Sequence, residues 1–223
     1  MEKISFVTSD RVTIVGAWQD ASGKRGVALL LHMMPETKES YAELQTRLAA
    51  ALIASLAIDL RGHGESLVCD ENATLNYKDF DDGGHQASRF DIQAAAEWLN
   101  KQQVMGLNRL ALVGASIGAN LALQFAAEHR EVAAVAALSP GLDYRGVAAA
   151  GPVTALSKNQ KLLLVASDDD SYSAETIQEL AKISPAKITV IKFKNAGHGT
   201  NMFKAEPAFP EQLTRWISEA VSD

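Results

Sequence analysis

Gly114-Ala115-Ser116-Ile117-Gly118 places a serine between two glycines, after an apolar run at 110–113 and before a helical pattern beginning near Ile117. A serine at so tight a strand-to-helix turn is pushed out of the surrounding backbone, where it can act as a nucleophile. The residues two positions to either side must be small, because strand and helix nearly touch there. At average composition the bare pattern arises by chance in roughly 0.07 of chains this long, so its placement after a buried strand has to carry the reading. A serine hydroxyl attacks poorly unless a base takes its proton, and the base needs an orienting carboxylate. In sites of this kind the chain order is serine, acid, histidine.

His198, in Asn195-Ala196-Gly197-His198-Gly199, is the histidine that follows the last strand, and its flanking glycines let the loop approach other backbone. His63, in Arg61-Gly62-His63-Gly64, looks locally similar but precedes the serine, and it reads as structural. For the acid, Ser167-Asp168-Asp169-Asp170-Ser171 offers three carboxylates in a row at the end of an apolar run. An acidic run is ordinarily a solvated loop or helix cap; at a strand's carboxyl end one member is expected to turn inward. Asp143, in the loop after the run at 132–138, is the second-choice acid.

These residues need a frame, and the chain supplies an alternating one. Residues 3–7 and 12–18 alternate apolar and polar, which predicts two antiparallel strands. Residues 27–32 form a continuous apolar run, the mark of a strand buried on both faces. Tyr41, Leu44, Leu48 and Leu52 then recur at helical spacing, with Ser40 and Glu43 placed as a capping box. Strands are predicted again at 55–59, 109–114, 132–138, 161–166 and 188–193. Helices are predicted at 90–100, 117–129, 174–183 and 209–221. Strands alternating with helices imply an open, doubly wound, mostly parallel α/β sheet with helices on both faces. Its functional groups gather beyond the carboxyl ends of the strands.

Composition narrows the function. The 223 residues read as a single domain, 1–223, with 21 Lys and Arg against 27 Asp and Glu and a net charge of -6. With no basic cluster to offset that balance, a nucleic-acid partner is not expected. The one cysteine, Cys69, cannot form an internal disulfide. No leader pattern and no apolar span of membrane length is evident, so the expectation is a cytoplasmic protein without a membrane partner. Asn72-Ala73-Thr74 matches a glycosylation acceptor, which has no meaning without secretion. Asp79-Phe80-Asp81-Asp82 lacks the spacing of a calcium loop and reads as solvated.

The sequence resembles the α/β-hydrolase superfamily over nearly its whole length. The likeness rests on Leu30-Leu31-His32-Met33-Met34, Asp59-Leu60-Arg61-Gly62-His63-Gly64-Glu65-Ser66, Gly114 to Gly118, the end of the run at 163–170, and Gly197-His198-Gly199. It is most similar to small bacterial esterases and dienelactone-hydrolase-like members. In these the acid usually lies three residues after a small residue closing the strand; counting from Ser167 implies Asp170, ahead of Asp169 and Asp168. The resemblance also implies an oxyanion hole built from the backbone N–H groups of Ile117 and Met34. Since this sequence has His32-Met33 where the family often has His-Gly, Met33 is the alternative donor.

Together these imply a serine esterase acting on small carboxylic esters through a covalent acyl-enzyme, with Ser116, His198 and Asp170 as the triad and no metal or organic cofactor. Thioesterase, amidase or acyltransferase activity needs the same residues. A ligand-binding member that keeps the scaffold without turnover is the reading from a different class. Ser139 to Asn159 leaves room for a loop or one helix and no lid domain, which implies an accessible site flanked by the segments 67–88 and 141–157. Met202 and Phe203, just after His198, are placed either at the pocket or in the core. Oligomeric state is not legible.

Overall fold

The computed structural model describes residues 1–70, 73–102 and 105–222; Asn72 of the glycosylation sequon lies outside them. The chain opens with a hairpin of β1 (Glu2–Val7) and β2 (Val12–Gln19), then β3 (Gly26–Leu31), helix α1 (Ala42–Ala50) and β4 (Ile53–Ile58). Two short strands follow, β5 (Val68–Cys69) and β6 (Ala73–Thr74), and two helices, α2 (Asp82–Gln86) and α3 (Arg89–Lys101). Next come β7 (Leu110–Ala115), α4 (Ile117–Glu128), β8 (Ala134–Leu138), β9 (Asp143–Tyr144), β10 (Val147–Ala148) and α5 (Ala150–Ala155). The chain ends with β11 (Lys161–Ser167), α6 (Ser171–Ile183), β12 (Lys187–Phe193), α7 (Asn201–Ala205) and α8 (Phe209–Ser222).

Ten strands form one sheet in the order β12-β11-β8-β7-β3-β4-β2-β5-β6, with β1 beside β2. The pairs from β4 through β12 are parallel, and those made by β1, β2, β5 and β6 are antiparallel. The expected doubly wound α/β sheet is therefore present.

The pleat explains why its central strands read as unbroken apolar runs. Along β3, Val27, Leu29 and Leu31 enter the core shared with α3, α4, α5 and α6, while Ala28 and Leu30 enter the core under α1 and α8. All five are essentially inaccessible to solvent. At the sheet edge β12 is different: its residues alternate between exposed and half-buried, and Val190 faces outward.

Two expectations change. Ser40 does not cap α1, because a 3-10 turn at Lys38–Tyr41 precedes the helix and the Ser40 hydroxyl donates back to the Thr37 carbonyl at 2.8 Å. Glu43 instead pairs with Arg47 one turn along α1. The segment after β8, expected to hold a loop or one helix, holds a two-stranded hairpin, β9 with β10, as well as the helix α5. Among the described residues no helix is long and apolar enough to cross a membrane.

Candidate active site

Ser116 stands between β7 and α4 near the middle of the sheet, with backbone angles of φ 54° and ψ -122°. A left-handed φ is costly for a residue with a side chain and is kept where the surroundings enforce it. Here they do. A Cβ on Gly114 would lie 2.1 Å from the Gly118 carbonyl oxygen, and one on Gly118 would lie 2.4 Å from the oxygen of Leu31 and 2.7 Å from that of His32. The two glycines thus let α4 start against the ends of both β7 and β3. The Ser116 N–H is tied to the Leu138 carbonyl at 2.9 Å.

The three consecutive aspartates separate by function. Asp170, the N-cap of α6, accepts from His198 Nδ1 at 2.7 Å and is largely shielded from water. A carboxylate at Nδ1 holds the proton there and leaves Nε2 with its lone pair. Asp168 turns outward to Lys192 of β12, at 2.7 Å. Asp169 accepts the Ser167 hydroxyl and the Gly197 N–H, both in the histidine loop's footing. The Ser167 hydroxyl foremost, with the Gly197 and Ala196 N–H groups, holds the Asp169 carboxyl below the usual range. Asp143, the second-choice acid, is not in this cluster: its carboxylate closes the β9–β10 turn by accepting the Gly146 N–H at 2.8 Å.

The histidine loop is anchored on three sides. Ser167 Oγ accepts the Ala196 N–H at 2.8 Å, and Ser139 Oγ accepts the Gly199 N–H at 2.9 Å. Gly199 sits so close to Met33 and Ala115 that a Cβ there would lie 2.5 Å from the Met33 sulfur and 3.3 Å from the Ala115 Cβ. The loops bearing His198, Ser116 and Met33 therefore converge on one another at the carboxyl end of the sheet.

His32 orients the oxyanion loop. It is fully buried, its Nε2 accepts the Leu60 N–H at 2.9 Å, and its Nδ1 therefore carries the proton and donates to the Met33 carbonyl at 2.9 Å. Burial foremost, with His63 nearby, pushes its imidazole down to about 3, so it stays neutral. In a trans peptide the C=O and the following N–H point in opposite directions. With the Met33 carbonyl turned to His32, the Met34 N–H points the other way, and among the described residues it has no partner. Ile117 is the first residue of α4, so its N–H is one of the unpaired donors every helix start presents.

Sequence reasoning missed Tyr144. Its hydroxyl donates to the Ser139 carbonyl at 3.3 Å and meets Ser173 Oγ at 3.1 Å, while its ring stands edge-on to His198 at 6.2 Å. Burial pushes the phenol up to about 12, and the hydroxyls of Ser173 and Ser116 beside it pull it partly back. Tyr172 holds the hairpin from outside through the Asp143 backbone. Gly146 alone marks the turn that carries Tyr144, because Arg145 stands where Asn, Asp or Gly would announce a hairpin.

Other singled-out residues serve the frame. His63 is buried, donates from Nδ1 to the Arg61 carbonyl at 3.0 Å and stacks on Tyr77 at 3.9 Å. Arg61 is clamped between Asp91 and Asp10, and Asp59 accepts from Lys38 and from the Glu65 N–H. Met202 is fully buried in the core under α8, and Phe203 packs against Tyr41 and Phe209, so both belong to the core. Among the described residues no group of three or more His, Cys, Asp or Glu is arranged to hold a metal ion.

A cavity of about 370 Å³ opens beside Met34, between the segments 67–88 and 141–157 that flank the site. A larger groove of about 530 Å³ lies far along the chain's N-terminal hairpin, lined by Trp18 and Trp98, and contains none of the residues gathered above.

A buried elbow serine, a histidine on a loop after the last strand and an aspartate after β11, all on a mostly parallel sheet, define an α/β hydrolase of the serine type. Residues 22–167 match the serine aminopeptidase, S33 family, and the chain belongs to it. That match includes Ser116 and ends before Asp170 and His198. Known structures share the fold at low identity. An esterase from Pyrococcus furiosus is 17% identical with a TM-score of 0.79, over 99% of this chain and 91% of that one. A dienelactone hydrolase from Anabaena variabilis is 19% identical with a TM-score of 0.72, over 98% and 96%. A protein from Butyrivibrio proteoclasticus, solved with ferulic acid bound, is 15% identical with a TM-score of 0.78, over 99% and 100%. No curated protein matches in sequence.

Proposed function

We propose that this chain hydrolyses small carboxylic esters through a covalent acyl-enzyme on Ser116. The observation that carries the reading is the 2.7 Å contact of Asp170 with His198 Nδ1, on a loop that touches the residue preceding Ser116. With Nδ1–H held by Asp170, His198 Nε2 is free to take the serine proton as Oγ attacks the ester carbonyl. Negative charge grows on the carbonyl oxygen, and the N–H groups of Met34 and Ile117 are the donors for it; losing one such donor commonly costs about 3–4 kcal/mol. His198 then gives its proton to the departing alcohol. Water repeats the sequence, releasing the acid and restoring Ser116. The partner is a small-molecule ester, and the short segment between β8 and β11, one hairpin and one helix, suits a compact substrate. The family's name favours a second reading, cleavage of an amide by the same groups.

The test is hydrolysis of p-nitrophenyl esters from acetate to dodecanoate, with p-nitroanilides alongside, for wild type and Ser116→Ala. Turnover of short esters that needs Ser116 is the expected result. Serine-dependent turnover of anilides alone moves the assignment to amides, and equal turnover by Ser116→Ala removes the serine from the mechanism.

A further inference from the structure

The cavity beside Met34 has a chemistry that the triad does not explain. Its walls are Met34, Tyr77, Lys78, Phe80, His85 and Arg145. At about 370 Å³ it is near the small end of the range for small-molecule sites, roughly 300–1,000 Å³. It is joined to the candidate active site from two directions. Met34 supplies the candidate oxyanion donor, and Arg145 follows Tyr144, whose ring stands edge-on to His198 at 6.2 Å.

Its charge runs against that of the protein. The chain carries a net -6, yet two exposed cations, Lys78 and Arg145, line this cavity. Among the described residues neither Lys78 nor Arg145 makes an ion pair; the contact of the Lys78 ammonium is the Tyr77 ring, at 6.0 Å. Asp81, close by, is spent as the cap of α2, accepting the Gly84 N–H at 2.8 Å, and Asp82 packs beside Gly146. Burial foremost, with the Arg145 charge, holds His85 below its ordinary pKa, against the opposite pull of Asp82 and Asp81.

Arg145 also occupies an unusual backbone position. It has φ 54° and Gly146 has φ 77°, the two left-handed residues of a two-residue hairpin turn. Such turns favour Asn, Asp or Gly at the first place, and an arginine there is unfavourable for the turn itself. The aromatic walls are fixed. Tyr77 stacks flat on buried His63 at 3.9 Å, and Phe80 stands edge-on to His85 at 5.5 Å.

We propose that this cavity is the subsite for the carboxylate end of the substrate, with Arg145 and Lys78 holding the carboxylate and Tyr77 and Phe80 packing against a planar apolar stem. The substrate class is then an ester that already carries an aromatic or similarly flat carboxylate. Its role in turnover rests on the serine-hydrolase reading above; the capture of the anion does not.

The test compares 4-acetoxybenzoate with its methyl ester as substrates, and benzoate with benzamide as ligands of Ser116→Ala in calorimetry. Wild type is expected to prefer the anionic ester in kcat/KM by about tenfold, as befits charge pairs at a solvent-facing site. That ratio should fall toward one in Lys78→Gln/Arg145→Gln, mainly through KM, and should shrink between about 0.02 M and about 0.5 M salt. Equal rates for the two esters in wild type, or a preference that survives in the double variant, overturns the proposal while leaving serine hydrolysis standing. Should neither ester turn over, the serine-ester reading fails and calorimetry decides the cavity. Binding of benzoate but not benzamide, lost with the two cations, then upholds it, and no benzoate binding overturns it.

Discussion

Gly118→Ala tests the geometry that makes the elbow. The added Cβ would sit 2.4 Å from the Leu31 oxygen and 2.7 Å from the His32 oxygen, both backbone atoms at the end of β3. Ordinary van der Waals contact begins at 3.4 Å, so the start of α4 and the end of β3 must part by about 1 Å. Neither side yields easily, because Leu31 is hydrogen-bonded in the middle of the sheet and Ile117 is buried. Overpacking of this kind costs about 1–3 kcal/mol, which lowers Tm by roughly 2–12 °C in a chain of this size. The same movement separates Ser116 from the Met34 N–H, and a misplacement of about 1 Å commonly costs on the order of 10²-fold in rate. The assay is thermal unfolding by circular dichroism together with kcat/KM on a short p-nitrophenyl ester. Gly151→Ala is the internal control: apart from its two chain neighbours nothing lies within 4 Å of a Cβ there, and this exposed position is inside α5. It should stay within about 1 kcal/mol of wild type, because the gain in helix propensity is opposed by the Pro152 ring, which disfavours a side chain before it in helical backbone. Wild-type Tm and activity in Gly118→Ala would refute the close-approach argument.

The aspartate run gives a second prediction. Asp170→Asn should lower kcat by about 10⁴, because the amide cannot hold the required imidazole tautomer; Asp168→Asn should stay within a few-fold of wild type, since its partner Lys192 is at the surface. Steady-state kinetics on the two variants checks this, and equal losses would reassign the acid. A third concerns pH. Burial depresses His32, His63 and His85, so unfolding takes up protons below their ordinary values near 6.5. Asp91, which burial pushes up to about 6, releases a proton on unfolding in the same range and offsets part of this uptake. Stability should therefore be greatest above pH 6.5 and fall toward pH 5, by about 1.4 kcal/mol per pH unit for each net proton. Urea midpoints at pH 7 and pH 5 measure it, and a higher midpoint at pH 5 would contradict it.

Much of the frame was legible because the sheet is buried on both faces. A strand such as β3 has no solvent side, so its residues read as one apolar run and its position follows directly. The elbow was legible because two glycines are demanded by contact with backbone, a constraint no other residue type meets. Start signals were less reliable. Ser40 looked like a cap, yet the Lys38 ammonium and N–H bind the buried Asp59, and that long-range tie sets the 3-10 turn ahead of α1. The β9–β10 hairpin was illegible because Arg145 occupies a position where Asn, Asp or Gly is the recognisable signal. Tyr144 was missed with it. The tripled aspartate left three candidates open, since adjacent residues after a strand differ only in direction; their partners Lys192, Gly197 and His198 separate them.

An activated Ser116 is read directly by covalent labelling. Wild type, Ser116→Ala and His198→Gln would each be treated with a fluorophosphonate and analysed by intact mass and peptide mapping. One adduct per chain is expected in wild type, located on Ser116, absent in Ser116→Ala and strongly slowed in His198→Gln. An unlabelled wild-type protein, or an adduct on another residue that persists in Ser116→Ala, would contradict it.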